Sequence, residues 1–121
     1  MTDQAARTEH FLTLHHGPEP LLLPNAWDRG SAVLLTSLGF AAIATTSSGF
    51  AATLGRLDGN VTRDEALGHA AFIAASTSLP VSADLENCFA DDPAGVAEQG
   101  TYGYLTYARI GRDAVQAAFS R

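Results

Sequence analysis

Leu79-Pro80-Val81-Ser82-Ala83-Asp84-Leu85-Glu86 is the stretch on which the reading of the chain turns. An apolar run behind a proline predicts a short buried strand, and it ends in two carboxylates, Asp84 and Glu86. The period of two in a strand puts both acids on one side, where the strand stops. Acids held that close repel each other unless solvent, a proton or a cation relieves them. Oxygen ligands of this kind suit a hard cation such as Mg2+, which keeps several waters and takes one or two carboxylates directly. A solvated acidic loop has the same spacing, and the residues alone leave both readings open.

Immediately upstream, Thr62-Arg63-Asp64-Glu65 is a capping box that opens a helix reaching about Ser76. Its broad apolar face carries Ala66, Leu67, Ala70, Ile73 and Ala74, with His69 beside it as a structural histidine. Before the box lies a long connection, Ala51 to Val61, of the kind that is often functional, with Asp58 as its only acid. Thr45-Thr46-Ser47-Ser48-Gly49-Phe50 precedes it. Its small residues fit either a concave nest of N–H groups for an anionic ligand or a plain polar turn.

Further upstream, Phe40 to Ala44 predicts a second strand, preceded by a helix from an Asp28 N-cap to Leu38. Ala32, Leu34, Leu35 and Leu38 are expected inward, and Gly39 closes the helix where left-handed dihedrals are needed. Leu21-Leu22-Leu23, between prolines, reads as a first buried strand. Asp3 to His15 reads as a helix; His15 and His16 point about 100° apart and mark its exposed end. Downstream, Asp92-Pro93 starts another helix with proline at its first position. The alternation of strand and helix argues an α/β fold with a parallel sheet, and every candidate site falls at the carboxyl edge where such folds place ligands.

Composition narrows the function. The chain of 121 residues is long enough for one domain with its own core, and 46% of it is apolar. No run approaches the ~20 apolar residues of a membrane span and no basic-then-apolar leader opens the sequence, so no membrane partner and a cytoplasmic location are expected. The single Cys88 excludes an internal disulfide and a thiolate zinc cage and reads as a small half-buried hydrophobe. Net charge is -6 with seven unclustered Lys+Arg, which argues against a nucleic-acid partner.

Four motifs carry a resemblance: Pro24-Asn25-Ala26-Trp27-Asp28-x-Gly30-Ser31-Ala32, Gly39-Phe40-x-Ala42-Ile43-Ala44-Thr45-Thr46-Ser47-x-Gly49, Leu54-Gly55-x-x-Asp58-Gly59, and Leu79 to Glu86. In this order and spacing, over residues 10 to 98, the chain resembles the isocitrate lyase and phosphoenolpyruvate mutase superfamily, most of all its phosphonomutase and methylisocitrate lyase-like subgroup. The resemblance implies a (β/α)8 TIM barrel that holds Mg2+ and an α-oxo or dicarboxylic acid or its enolate, beside which a C–C or P–C bond is made or broken. It implies that Asp84 holds the metal, with Glu86 and Asp58 reaching it directly or through waters. Thr46, Ser47 and Ser48 would bind the substrate carboxylate or phosphonyl group, and Trp27 would stand near the barrel mouth as a packing residue.

The sequence departs from the family pattern twice. The lyases' Lys-x-Cys-Gly-His gating loop has no counterpart, for the chain contains no lysine. Gln99-Gly100-Thr101-Tyr102-Gly103-Tyr104-Leu105 resembles the family's C-terminal helices, so strands four to eight would be missing between Glu98 and Gln99. A complete barrel takes about 250 residues. The expected architecture is therefore a partial barrel, residues 1–98 with the first three βα units, followed by a C-terminal helical segment, residues 99–121. That segment holds Tyr102, Tyr104 and Tyr107, and the resemblance makes it a surface for homo-oligomers. An open sheet edge argues the same way. The alternative reading is an inactive truncated remnant that acts at most as a self-association or ligand-binding module.

Overall fold

The structure is a computed structural model that describes residues 3–97. Its elements run α1 (Asp3–His15), α2 (Arg29–Ser37), β1 (Ile43–Ala44), α3 (Ser47–Thr53), α4 (Arg63–Ala75) and β2 (Val81–Ser82), and residues 93–97 are helical. β1 and β2 are parallel, with Ile43 opposite Val81 and Ala44 opposite Ser82. Ile43 N donates to Pro80 O at 3.1 Å and Thr45 N to Ser82 O at 2.8 Å. Alternate residues of β1 face the other way: Ala44 N donates to Pro24 O at 2.9 Å, and Ala26 N donates to Ala44 O at 2.8 Å. β1 is thus flanked on both sides by parallel segments, in a mixed α/β arrangement as the alternation predicts.

The first strand is displaced from its expected place. Leu21 to Leu23 form no ladder, and pairing occurs instead at Asn25, which makes a parallel bridge to Ala44. Leu22 is 69% exposed, whereas Leu21 and Leu23 are half-buried, so the run alternates rather than burying both faces. Pro24 lacks an N–H, yet its carbonyl serves the sheet. Thr45 to Phe50, open between an anion nest and a polar turn, is instead the start of a helix: Thr46 is the N-cap and Ser47 to Phe50 are the first residues of α3.

Asp28 caps α2 as expected, its Oδ1 accepting from Ser31 N at 2.7 Å, and Gly39 takes the left-handed φ of +84° behind it. The inward face of α2 differs from expectation. Ala32 is buried, while Leu34 and Leu38 are 57% and 65% exposed. The face is set by Thr36, whose hydroxyl lies 2.8 Å from Ala32 O and 2.7 Å from Thr77 Oγ1. That pairing satisfies a buried hydroxyl and turns the leucines outward. Fully buried Ile43 and Ile73 centre a small core with Ala26, Ala32, Ala74 and Val81, against which Leu35 and Leu79 pack.

The capping box of α4 forms as read: Glu65 N donates to Thr62 Oγ1 and Thr62 N donates to Glu65 Oε2 at 2.9 Å. Arg56 adds a contact to the same carboxylate at 2.8 Å. The Arg56 guanidinium first, and then the Thr62 amide and hydroxyl, hold the Glu65 carboxyl down to about 2. A carboxylate whose folded value lies below its ordinary 4.5 stabilises the fold above that pH and loses the effect as pH falls toward about 2. Glu65→Gln keeps an acceptor for Thr62 and removes the charge. Its melting temperature is expected to lie below that of the wild type at pH 6 and to converge on it between pH 4.5 and about 2; thermal melts across that range provide the check.

Residues 99–121, expected as a helical segment with a tyrosine surface, lie outside the described residues.

Candidate functional site

A pocket opens at the carboxyl ends of the two strands. Its polar side is Thr45, Thr46, Ser47, Asp84 and Glu86, and its other wall is Phe50, Val61, Ala66 and His69. Thr45 leaves β1 directly and its hydroxyl accepts from Asp84 N at 2.8 Å. Asp84 is therefore fixed by its own backbone to the neighbouring strand end.

Both carboxylate oxygens of Asp84 accept backbone hydrogens. Ser47 N donates to Oδ2 and Glu86 N donates to Oδ1, each at 3.0 Å. Partial burial pushes the Asp84 carboxyl up, but the Ser47 and Glu86 amides and the Ser47 hydroxyl outweigh it, so it lies below the ordinary carboxylate range. The group is an anion at neutral pH, and each oxygen retains a second lone pair.

Glu86 reaches the same pocket by a route different from the one expected. The strand ends at Ser82, and Glu86 has φ +52°, so strand alternation does not carry it to the side of Asp84. Cys88 and Phe89 are left-handed too, with φ +59° and +56°. This run is held by Asn87, whose Oδ1 accepts from Phe89 N at 3.0 Å and whose Nδ2 donates to Ala90 O at 3.2 Å. Backbone strain of this kind concentrates beside functional sites. Cys88 is free and half-buried.

Asp58 is exposed; its Oδ1 accepts from Gly59 N at 3.1 Å, and it is not among the residues lining the pocket. Thr46 Oγ1 accepts from Gly49 N and lies 3.4 Å from Ser48 Oγ. Among the described residues no three His, Cys, Asp or Glu side chains converge as a ready-made metal cage. The donor set still fits Mg2+, because an ionised Asp84 and a second carboxylate, Glu86, face one pocket beside hydroxyls, and Mg2+ completes its shell with water.

Sequence reasoning missed His69 as a pocket residue. Its Nε2 lies 2.8 Å from Trp27 O, and its ring stacks on Phe50 with centroids 3.8 Å apart and planes 10° from parallel. The signal was its place one turn beyond Ala66 on α4, for both line the pocket. Trp27 is 49% exposed, yet its indole lies against Gly49, where an added Cβ would come within 2.6 Å of Nε1.

The chain matches the family model described as phosphoenolpyruvate phosphomutase over residues 11–100. Two uncharacterized Mycobacterium tuberculosis proteins, from strains CDC 1551 / Oshkosh and H37Rv, are each 40% identical to it over 89 residues, covering 73% of this chain and 34% of their own. A crystal structure from Burkholderia cenocepacia described as a lyase/mutase is 45% identical, with TM-score 0.84, over 88% of this chain and 39% of that one. The crystal structure of 2,3-dimethylmalate lyase, a PEP mutase/isocitrate lyase superfamily member, is 26% identical with TM-score 0.70, over 90% of this chain and 38% of the lyase. The chain thus spans about a third of the length of the curated relatives it matches.

Proposed function

Because the chain belongs to the phosphoenolpyruvate phosphomutase family, within the PEP mutase/isocitrate lyase superfamily of lyases and mutases, we propose that its pocket serves a Mg2+-dependent lyase or phosphonomutase reaction. The substrate is an α-oxo acid or its enolate, with a C–C or P–C bond made or broken. Residues 3–97 are, in this reading, the opening part of a (β/α)8 barrel, and the protein works in the cytoplasm. The observation that carries the reading is the Asp84 carboxylate, held at the strand-end pocket by the amides of Ser47 at the start of α3 and of Glu86 in the loop behind β2.

Asp84 and Glu86 would hold the metal, and Asp58 would reach it through water. Mg2+, when bound, supplies positive charge that stabilises a developing enolate. The chain's own residues bind and orient. Ser47 N is committed to Asp84, so contact with a substrate carboxylate or phosphonyl group falls to hydroxyls. Thr46 and Ser48 share one hydrogen bond, in which one hydroxyl donates to the other; the accepting partner keeps its proton for a ligand. Phe50 and Val61 shield the opposite side from water.

Calorimetric titration of oxalate, an enolate mimic, tests this. Binding is expected with Mg2+ present and absent without it. Equal binding with and without the metal, or none in either case, overturns the reading.

A second reading is self-association without turnover. It is favoured by Val33, Leu34 and Leu38 of α2, which are 49%, 57% and 65% exposed. In that reading the exposed α2 face meets a second copy, and residues 99–121 add to the contact as the resemblance implies. Light scattering separates the two readings, for oligomers that never bind oxalate with Mg2+ support the second alone.

A further inference from the structure

Phe50, Trp27 and His69 come from three separate segments, and His69 touches both of the others. Its ring lies flat on Phe50 of α3, and its Nε2 meets the carbonyl of Trp27, two residues beyond the bridge at Asn25. A carbonyl only accepts, so Nε2 carries the proton. The Trp27 indole lies in turn over Gly49, in the first turn of α3. The contacts close a ring: α4 to Trp27, Trp27 to α3, and α3 back to α4. Two of its contacts bear on Gly49 and Phe50, the residues that follow Thr46, Ser47 and Ser48 at the start of α3.

Burial pushes the His69 imidazole below its ordinary 6.5, while the Trp27 carbonyl and the charge of Asp28 push it back up. Besides Asp28, the ionisable groups that line the pocket with it are Asp84 and Glu86. The proton that the Trp27 carbonyl requires on Nε2 makes this bond directional.

We infer that His69 is a positioning residue for the pocket: by donating from Nε2 to Trp27 O while stacked on Phe50, it fixes the Thr46–Ser48 turn opposite Asp84. This rests on the functional reading above. It adds a role for a residue that holds neither metal nor substrate. Losing one net hydrogen bond of this kind corresponds to roughly a 2- to 10-fold change in affinity.

The test uses three variants of the full chain, titrated with oxalate in the presence of Mg2+. His69→Ala removes donor and stack and is expected to weaken oxalate binding about 10-fold. His69→Phe keeps the stack and loses the donor, and is expected to resemble it. His69→Gln restores an N–H donor and is expected to recover most of the affinity. Trp27 is the only tryptophan, so its emission reports the setting of the indole over Gly49 that the contact holds, and it is expected to shift in the alanine and phenylalanine variants and to return in the glutamine variant. If His69→Ala fails to fold, nitrogen NMR of the wild-type ring decides, since an Nδ1–H tautomer at neutral pH overturns the inference. Wild-type affinity and emission in His69→Phe overturn the positioning role alone. A wild-type chain that does not bind oxalate with Mg2+ overturns the functional reading, and the positioning role with it.

Discussion

Asp84→Ala is expected to abolish Mg2+-dependent oxalate binding, lowering the affinity by more than about 100-fold, the upper end of what removing a mere supporting group costs a metal site. The effect is predicted to be specific to binding. Alanine leaves Ser47 N and Glu86 N without the acceptors they have at 3.0 Å. Water replaces those acceptors at an exposed carboxylate, so the cost to stability is only about 1 kcal/mol or less. Asp84→Asn sharpens the result, because its amide oxygen still accepts one of these hydrogens but carries no charge. It is expected to fold as the wild type and still fail to bind. Oxalate binding that survives in both variants would remove Asp84 from the metal site.

Gly49→Ala is expected to destabilise the fold by roughly 1–3 kcal/mol, the usual cost of overfilling a packed site. The added methyl would come within 2.5 Å of Thr46 Cγ2, 2.6 Å of Trp27 Nε1 and 2.7 Å of Trp27 Cδ1. Thr46 is the cap of α3, and the Trp27 carbonyl is tied to His69, so neither neighbour yields without loosening another contact. For a domain of this size the melting temperature should fall by about 5 °C or more, with a shift in Trp27 emission. Trp27→Phe in the same background makes room and is expected to restore part of the loss. A Gly49→Ala chain that melts with the wild type would show that the indole moves aside freely.

Local signals were legible wherever one side chain satisfies one backbone group. Asp28, Thr62 and Gly39 each announce a helix boundary by such chemistry, and each occupies its expected place. Faces and registers were harder to read. Leu34 and Leu38 promise an inward face on α2, but Thr36 finds a hydroxyl partner in Thr77 from the other end of the unit, a contact no local pattern contains. Leu21 to Leu23 look like a strand because they are apolar, while the ladder uses Pro24 and Ala26, chosen by the carbonyl and amide of Ala44. The pocket was legible as an edge and a pair of acids. Its aromatic wall was not, because the stack of His69 on Phe50 joins two helices that sequence spacing does not relate.

Each strand segment pairs with the next one in the chain: Asn25 with Ala44, then Ile43 and Ala44 with Val81 and Ser82. Synthesis therefore delivers β1 and then β2 to a partner that already exists. Among the described residues, assembly can proceed in step with translation from the amino end, each crossover closing on the segment made before it. Asp84 and Glu86 emerge only after β1 and α3 have been made. The pocket can accordingly be completed only after the segments that support it have been made.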